Sequence, residues 1–126
     1  SGEDIKQCCE IAEAKVLAFG EEFIDRVDSA KAALDKTIEN YIFVGPENKC
    51  PDATEPYADF LASGSDENPA IPFDLLDNAG LYFTSGTTGR PKAVLLTHRN
   101  LEYACYVENR HHNQTHEDNF LCIPPL

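Results

Sequence analysis

The chain has 126 residues, 42% of them hydrophobic, and carries 22 acids against 10 lysines and arginines for a net charge of −12. That is about one domain's length with enough apolar content for a core, and the acidic balance excludes general nucleic-acid binding, which needs clustered Lys and Arg. Five cysteines (8, 9, 50, 105 and 122), odd in number and without a CxxC pair, predict reduced thiols and a cytoplasmic location, and no apolar run approaches the ~18 residues of a membrane span.

In chain order, Ser1 followed by Asp4 predicts an N-cap with its acid three residues on, opening a helix that turns Ile5, Cys8, Cys9 and Ala12 to one side. Val16-Leu17-Ala18-Phe19 reads as a short strand ended by Gly20. Phe23, Val27, Ala30 and Leu34 then share a helical face, and Tyr41-Ile42-Phe43-Val44 forms a second strand closed by Gly45-Pro46. Helix, strand, helix, strand with crossovers of this length predicts a parallel sheet. Residues 46–56 read as loop, and Tyr57, Phe60 and Leu61 mark a short amphipathic helix. The stretch 63–78, rich in Ser, Gly, Asp, Asn and Pro, reads as an exposed, mobile loop. A third strand runs over about 80–84 and a fourth, Ala93-Val94-Leu95-Leu96-Thr97, follows. A helix from His98 to about Arg110 is expected to bury Leu101, Ala104 and Cys105. Phe120-Leu121-Cys122-Ile123 reads as a last strand.

The fold class expected is α/β: three layers, with a mostly parallel sheet flanked by helices. Residues 1–62 form helix/strand crossover units, 63–78 the exposed loop, and 79–126 a strand, loop, strand, helix and strand. The absence of methionine, the Ser1-Gly2 start and the Ile123-Pro124-Pro125-Leu126 stop predict an excised piece of a longer protein.

Chemistry concentrates in Thr84-Ser85-Gly86-Thr87-Thr88-Gly89-Arg90-Pro91-Lys92. Glycines leave backbone N–H groups open to a ligand, hydroxyls add donors that wrap an oxyanion, and Arg and Lys supply the opposing charge. Residues 1–77 hold 18 of the 22 acids, whereas 78–101 hold none and carry Arg90, Lys92 and Arg99. The loop therefore reads as a phosphate cradle. It is not a Walker A loop, because Gly86 and Gly89 stand three apart, Pro91 precedes Lys92 and Ala93 follows it. Nor does it hold the Gly-x-Gly-x-x-Gly of a dinucleotide site. A strand rather than a helix is expected after it, so no helix dipole is on hand for the anion.

The stretch Tyr82-Phe83-Thr84-Ser85-Gly86-Thr87-Thr88-Gly89-Arg90-Pro91-Lys92 resembles the phosphate loop of the AMP-forming adenylate enzymes, which include acyl-CoA synthetases, luciferases and the adenylation domains of peptide synthetases. Val94-Leu95-Leu96-Thr97-His98-Arg99-Asn100-Leu101 is similar to the strand and helix that follow the loop in acyl-CoA synthetases. Glu117-Asp118 through Pro124-Pro125-Leu126 is similar to the next stretch. Ala93 departs from the family's usual glycine after the lysine, which bears on loop geometry rather than on membership.

The resemblance implies an incomplete subdomain of the family's large N-terminal domain. It also implies an activity: a carboxylate, here a fatty acid by the look of Thr97-His98-Arg99-Asn100, is activated as acyl-AMP with release of pyrophosphate and then passed to CoA. ATP, Mg²⁺ and CoA are the implied cofactor and co-substrates. Thr84, Ser85, Gly86, Thr87, Thr88, Gly89 and Lys92 match the ATP-phosphate contacts, while Arg90 varies in kind among such loops. No catalytic residue and no metal ligand is expected within these residues, because the adenine and acyl pocket, the ribose-binding and Mg²⁺-associated acids and the catalytic lysine lie downstream in the family. The chain alone is accordingly expected to be inactive and to self-associate through exposed sheet edges. The alternative is a non-catalytic anion-binding or protein-interaction module that kept the loop.

Other candidates carry less. His112 and His116 share the spacing of HExxH, but Asn113 stands where the general-base Glu belongs. Asn113-Gln114-Thr115 is a glycosylation sequon that reads as surface loop, His98 reads as a helix cap or packing residue, and Cys105 and Cys122 read as small core residues.

Overall fold

The computed structural model describes residues 1–84 and 91–119. Helix α1 (Gly2–Ala12) is started by a capping box: the Ser1 hydroxyl accepts from the Asp4 N–H, and the Asp4 carboxylate accepts from the Ser1 amine at 2.7 Å. It stops at Glu13, whose left-handed backbone (φ 51°) turns its N–H back onto the Cys9 and Glu10 carbonyls. Strand β1 (Val16–Gly20) follows, then a 3-10 turn over Glu21–Phe23 that leads into α2 (Ile24–Leu34) and β2 (Asn40–Val44).

Strands β1 and β2 pair in parallel with Leu17 beside Tyr41 and Phe19 beside Phe43, as the helical crossover between them requires. A two-residue strand, β3 (Glu55–Pro56), joins β2 in parallel to complete the order β1-β2-β3, and α3 (Tyr57–Ser63) starts directly after it. Sequence pattern could not announce β3. It is two residues long, one of them proline, and what makes it a strand is register with Ile42 and Phe43.

Tyr41, Ile42 and Phe43 are all buried, so the sheet's central strand is covered on both faces. Its alternation turns Tyr41 and Phe43 to one side, where they meet Phe19 of β1, Cys9 of α1 and Val27, Ala30 and Leu34 of α2 in one cluster. Phe19 and Phe43 meet edge to face with ring centroids 6.0 Å apart. Phe43, Leu34 and Val27 are the most deeply buried, each contributing about 1.5–3 kcal/mol of burial. Two glycines let neighbours come close. A Cβ on Gly2 would lie 2.7 Å from the Arg26 carbonyl where α1 meets α2, and one on Gly45 would press into the Phe43 ring at 2.6 Å.

The chain falls into two compact units, one formed by Ser1–Ile71 with Tyr82–Val94 and the other by Pro72–Leu81 with Leu95–Leu126. The first holds the core just described. In the second, α4 (His98–His112) is the main element and the 72–77 segment packs on its start. Strands β4 (Asn78–Thr84) and β5 (Lys92–Thr97) hydrogen-bond to each other as a second, two-stranded sheet.

The helix expected after β5 is present, but its expected burial is not. No residue of α4 is buried; Leu101 is half-covered, and Ala104 and Cys105 are exposed. Among the described residues, no layer covers its apolar side, so the core assignment of Cys105 is corrected to a surface thiol. The last strand expected at 120–123, with Cys122, lies outside the described residues.

Candidate functional site

The candidate site is built between two strands. β4 delivers Thr84, exposed, as its last residue, and β5 begins at Lys92, also exposed. Leu81 and Phe83 are half-buried while Tyr82 and Thr84 face solvent, the alternation of a strand with one covered face. Of the sequence-assigned residues, the structure therefore places Thr84 and Lys92 at the two ends of the loop. Ser85, Gly86, Thr87, Thr88 and Gly89, with Arg90, lie outside the described residues.

Pro91, at the loop's exit, is half-buried and lines a shallow cavity of about 300 Å³ with Glu3, Gln7, Glu10 and Ile11 of α1. These α1 residues recur every three or four positions, so they form one helical stripe. The Glu3 carboxyl is held below the ordinary carboxylate range by hydrogen bonds from Gln7 (3.1 Å) and Lys6 (3.4 Å). In sequence, the window 78–101 is free of acids. The fold sets acids from a distant part of the chain beside its exit, a juxtaposition that no local pattern encodes.

Downstream, β5 passes into α4 through a second capping box. The Thr97 hydroxyl accepts from the Asn100 N–H at 3.3 Å, and the Asn100 side chain accepts from the Thr97 N–H at 3.0 Å. Thr97, not His98, is thus the cap. His98 is the first helical residue; its N–H donates to the Asp77 carbonyl at 3.1 Å and its ring stacks on Phe73 with centroids 4.4 Å apart. The Arg99 N–H donates to the Leu75 carbonyl at 2.8 Å. The first amides of α4 are all engaged within the protein, so this helix start offers an anion nothing.

The remaining candidates resolve as structure. His111 and His112 end α4, Asn113 closes it in the left-handed conformation, and His112 and His116 pair with Glu108 (3.3 Å) and Glu117 (2.8 Å). Among the described residues no group of three His, Cys, Asp or Glu is placed to hold a metal ion, and no helix is long and apolar enough to cross a membrane. Burial pushes the Cys9 thiol up, with Cys8 adding to it. Burial also pushes up Cys8, with Asp4 adding, so neither thiol is primed as a nucleophile.

Comparison with known proteins adds the wider context. The family model described as AMP-binding enzyme matches residues 1–126. A crotonobetaine/carnitine–CoA ligase of Citrobacter koseri is 33% identical over 96 residues, covering 72% of this chain and 18% of the relative. A feruloyl-CoA synthase of an Amycolatopsis species is 49% identical over 45 residues, or 36% of this chain and 9% of the relative. Among solved structures, an anthranilate CoA ligase in complex with anthranoyl-AMP superposes with a TM-score of 0.77 at 20% identity, over 85% of this chain and 20% of that one. The chain thus spans less than a fifth of the length of these two curated relatives, and the structural likeness speaks to fold: this α/β arrangement is that of part of an adenylate-forming CoA ligase's N-terminal domain.

Proposed function

The chain belongs to the AMP-binding enzyme family, and from that premise we propose that the protein carrying it is an AMP-forming acid–thiol ligase in which Thr84 to Lys92 holds the phosphates of ATP. The observation that carries the reading is a strand ending at Thr84 and another starting at Lys92, which bracket seven residues and with them make a nine-residue run of hydroxyls, glycines and cations. In the first step a carboxylate oxygen of the acid attacks the α-phosphorus, the bond to the bridging oxygen of the β-phosphate breaks, and pyrophosphate leaves with the electron pair. In the second the CoA thiolate sulfur attacks the acyl carbon, and AMP leaves.

Negative charge grows on the departing pyrophosphate in the first step. Backbone N–H groups at Gly86 and Gly89, the hydroxyls of Thr84, Ser85, Thr87 and Thr88, and the Lys92 ammonium are suited to meet it, and donors fixed in advance stabilise such a transition state most. The segment 78–101 holds no carboxylate, so any carboxylate ligand of a Mg²⁺ ion accompanying ATP would come from elsewhere, the loop offering only hydroxyl and carbonyl oxygens. No step assigned to these residues runs through it.

The acid is the open variable. Thr97-His98-Arg99-Asn100 favours a fatty acid, whereas the relatives are named for carnitine or crotonobetaine and for ferulate. The test is carboxylate-dependent ATP–pyrophosphate exchange by the full-length protein against fatty, cinnamic and betaine acids, followed by CoA-thioester formation. Exchange with one class and thioester product supports the reading; phosphate binding without exchange on any acid overturns it in favour of a non-catalytic module. The 126-residue chain alone is expected to show no exchange. It is also expected to self-associate, since among the described residues β1 stands at an edge of its sheet and Ile71 and Leu76 are 74% and 65% exposed. A monomeric light-scattering mass at high concentration would count against that.

A further inference from the structure

We propose that Phe73 and the turn it opens are a positioning device for the phosphate loop, closing the base of the two strands that carry it. The inference rests on the loop reading above. Asp77 immediately precedes β4 and His98 immediately follows β5, so the hydrogen bond from the His98 N–H to the Asp77 carbonyl (3.1 Å) closes the 78–97 segment at its base. The Arg99 N–H to Leu75 carbonyl bond, at 2.8 Å, doubles the closure.

The turn that presents these two carbonyls is itself fixed. The Asp74 N–H donates to the Asp77 carboxylate at 2.7 Å, the Leu76 N–H to the Asp74 carboxylate at 2.8 Å, and the Asp77 N–H to the Asp74 carbonyl at 2.9 Å. Phe73 then lays its ring on the His98 imidazole, 4.4 Å between centroids and 30° from coplanar. Phe73 is 63% exposed, so it adds little to core burial. A residue placed so acts on orientation more than on stability. Segments whose ends are tied sample fewer conformations, and a loop whose donors must be preset for a transition state gains from that restriction.

The test uses the full-length protein. Phe73→Ala is expected to speed amide exchange in β4 and β5 about fivefold and to raise the KM for ATP by a similar factor, with the KM for CoA unchanged. Phe73→Tyr restores both. His98→Phe keeps the stack and stays near wild type, whereas His98→Ala matches Phe73→Ala. Wild-type exchange in β4 and β5 of Phe73→Ala, an equal rise in every KM, or His98→Phe as impaired as His98→Ala each overturns the proposal. If the unsubstituted protein shows no ATP–pyrophosphate exchange, the ligase reading fails, and the amide-exchange comparison still decides on the clamp.

Discussion

The phenol of Tyr41, buried in β2, donates to the Asp35 carboxylate just past the end of α2 at 2.8 Å, and the Lys31 ammonium lies 4.1 Å from the centre of the same ring. One side chain thereby ties the crossover helix to the central strand through a hydrogen bond, a cation–π contact and burial. Burial raises the phenol above its ordinary value of 10.0, and the Asp35 carboxylate raises it further. The folded protein keeps this proton to higher pH than the unfolded chain. The stability it contributes is therefore whole below pH 10 and is lost as pH rises toward the folded-state value. Tyr41→Phe should cost about 1 kcal/mol at pH 7, and the gap to wild type should shrink above pH 10. Urea midpoints of both proteins from pH 7 to 11.5 measure it; a constant offset across that range sinks the linkage.

Core and surface leucines should separate cleanly. Leu34 is 1% exposed within the α2 face of the cluster, whereas Leu61 on α3 is 62% exposed. Leu34→Ala should cost about 2–5 kcal/mol through lost transfer and a residual cavity, and Leu61→Ala about 0.5 kcal/mol or less. Equal losses in urea denaturation would mean that α3 is covered by something outside the described residues.

Thr97 holds the start of α4 through its hydroxyl, so Thr97→Ala should cost about 1 kcal/mol, and Thr97→Ser, which keeps the acceptor, close to nothing. Faster amide exchange at Asn100 in the alanine variant is the local readout. Unchanged exchange there would transfer the capping role to the Leu75 and Asp77 carbonyls.

Much of this was legible because it is local. The Ser1 and Asp4 spacing of a capping box, the Val27, Ala30 and Leu34 face of α2, and the apolar runs of β1 and β2 each state their own structure within a few residues. Strands β4 and β5 were legible in the same way, as apolar runs on either side of the glycine- and hydroxyl-rich stretch. What sequence missed depends on partners far along the chain. β3 exists only through register with Ile42 and Phe43, and the capping of α4 draws on carbonyls from residues 75 and 77. The expectation that α4 buries Cys105 failed for a related reason: an amphipathic pattern says which face seeks cover, not whether cover is present.

Lys92 and Glu10 should pull on ATP in opposite directions. Lys92 opens β5 at the loop's end, and Glu10 borders the cavity that Pro91 lines at the same exit. If Lys92 meets the phosphates as proposed, Lys92→Ala should weaken ATP binding by tenfold or more, on the order of 1.5–3 kcal/mol. Glu10→Gln removes a like charge from the neighbourhood of a polyphosphate. At an exposed, solvent-screened site this is worth about a twofold gain in affinity at low salt, vanishing as salt rises. Titration calorimetry of ATP into the full-length variants at two ionic strengths reads both signs at once. Unchanged binding in Lys92→Ala removes it from the phosphate site, and a Glu10→Gln gain that survives high salt points to a local structural change instead of charge.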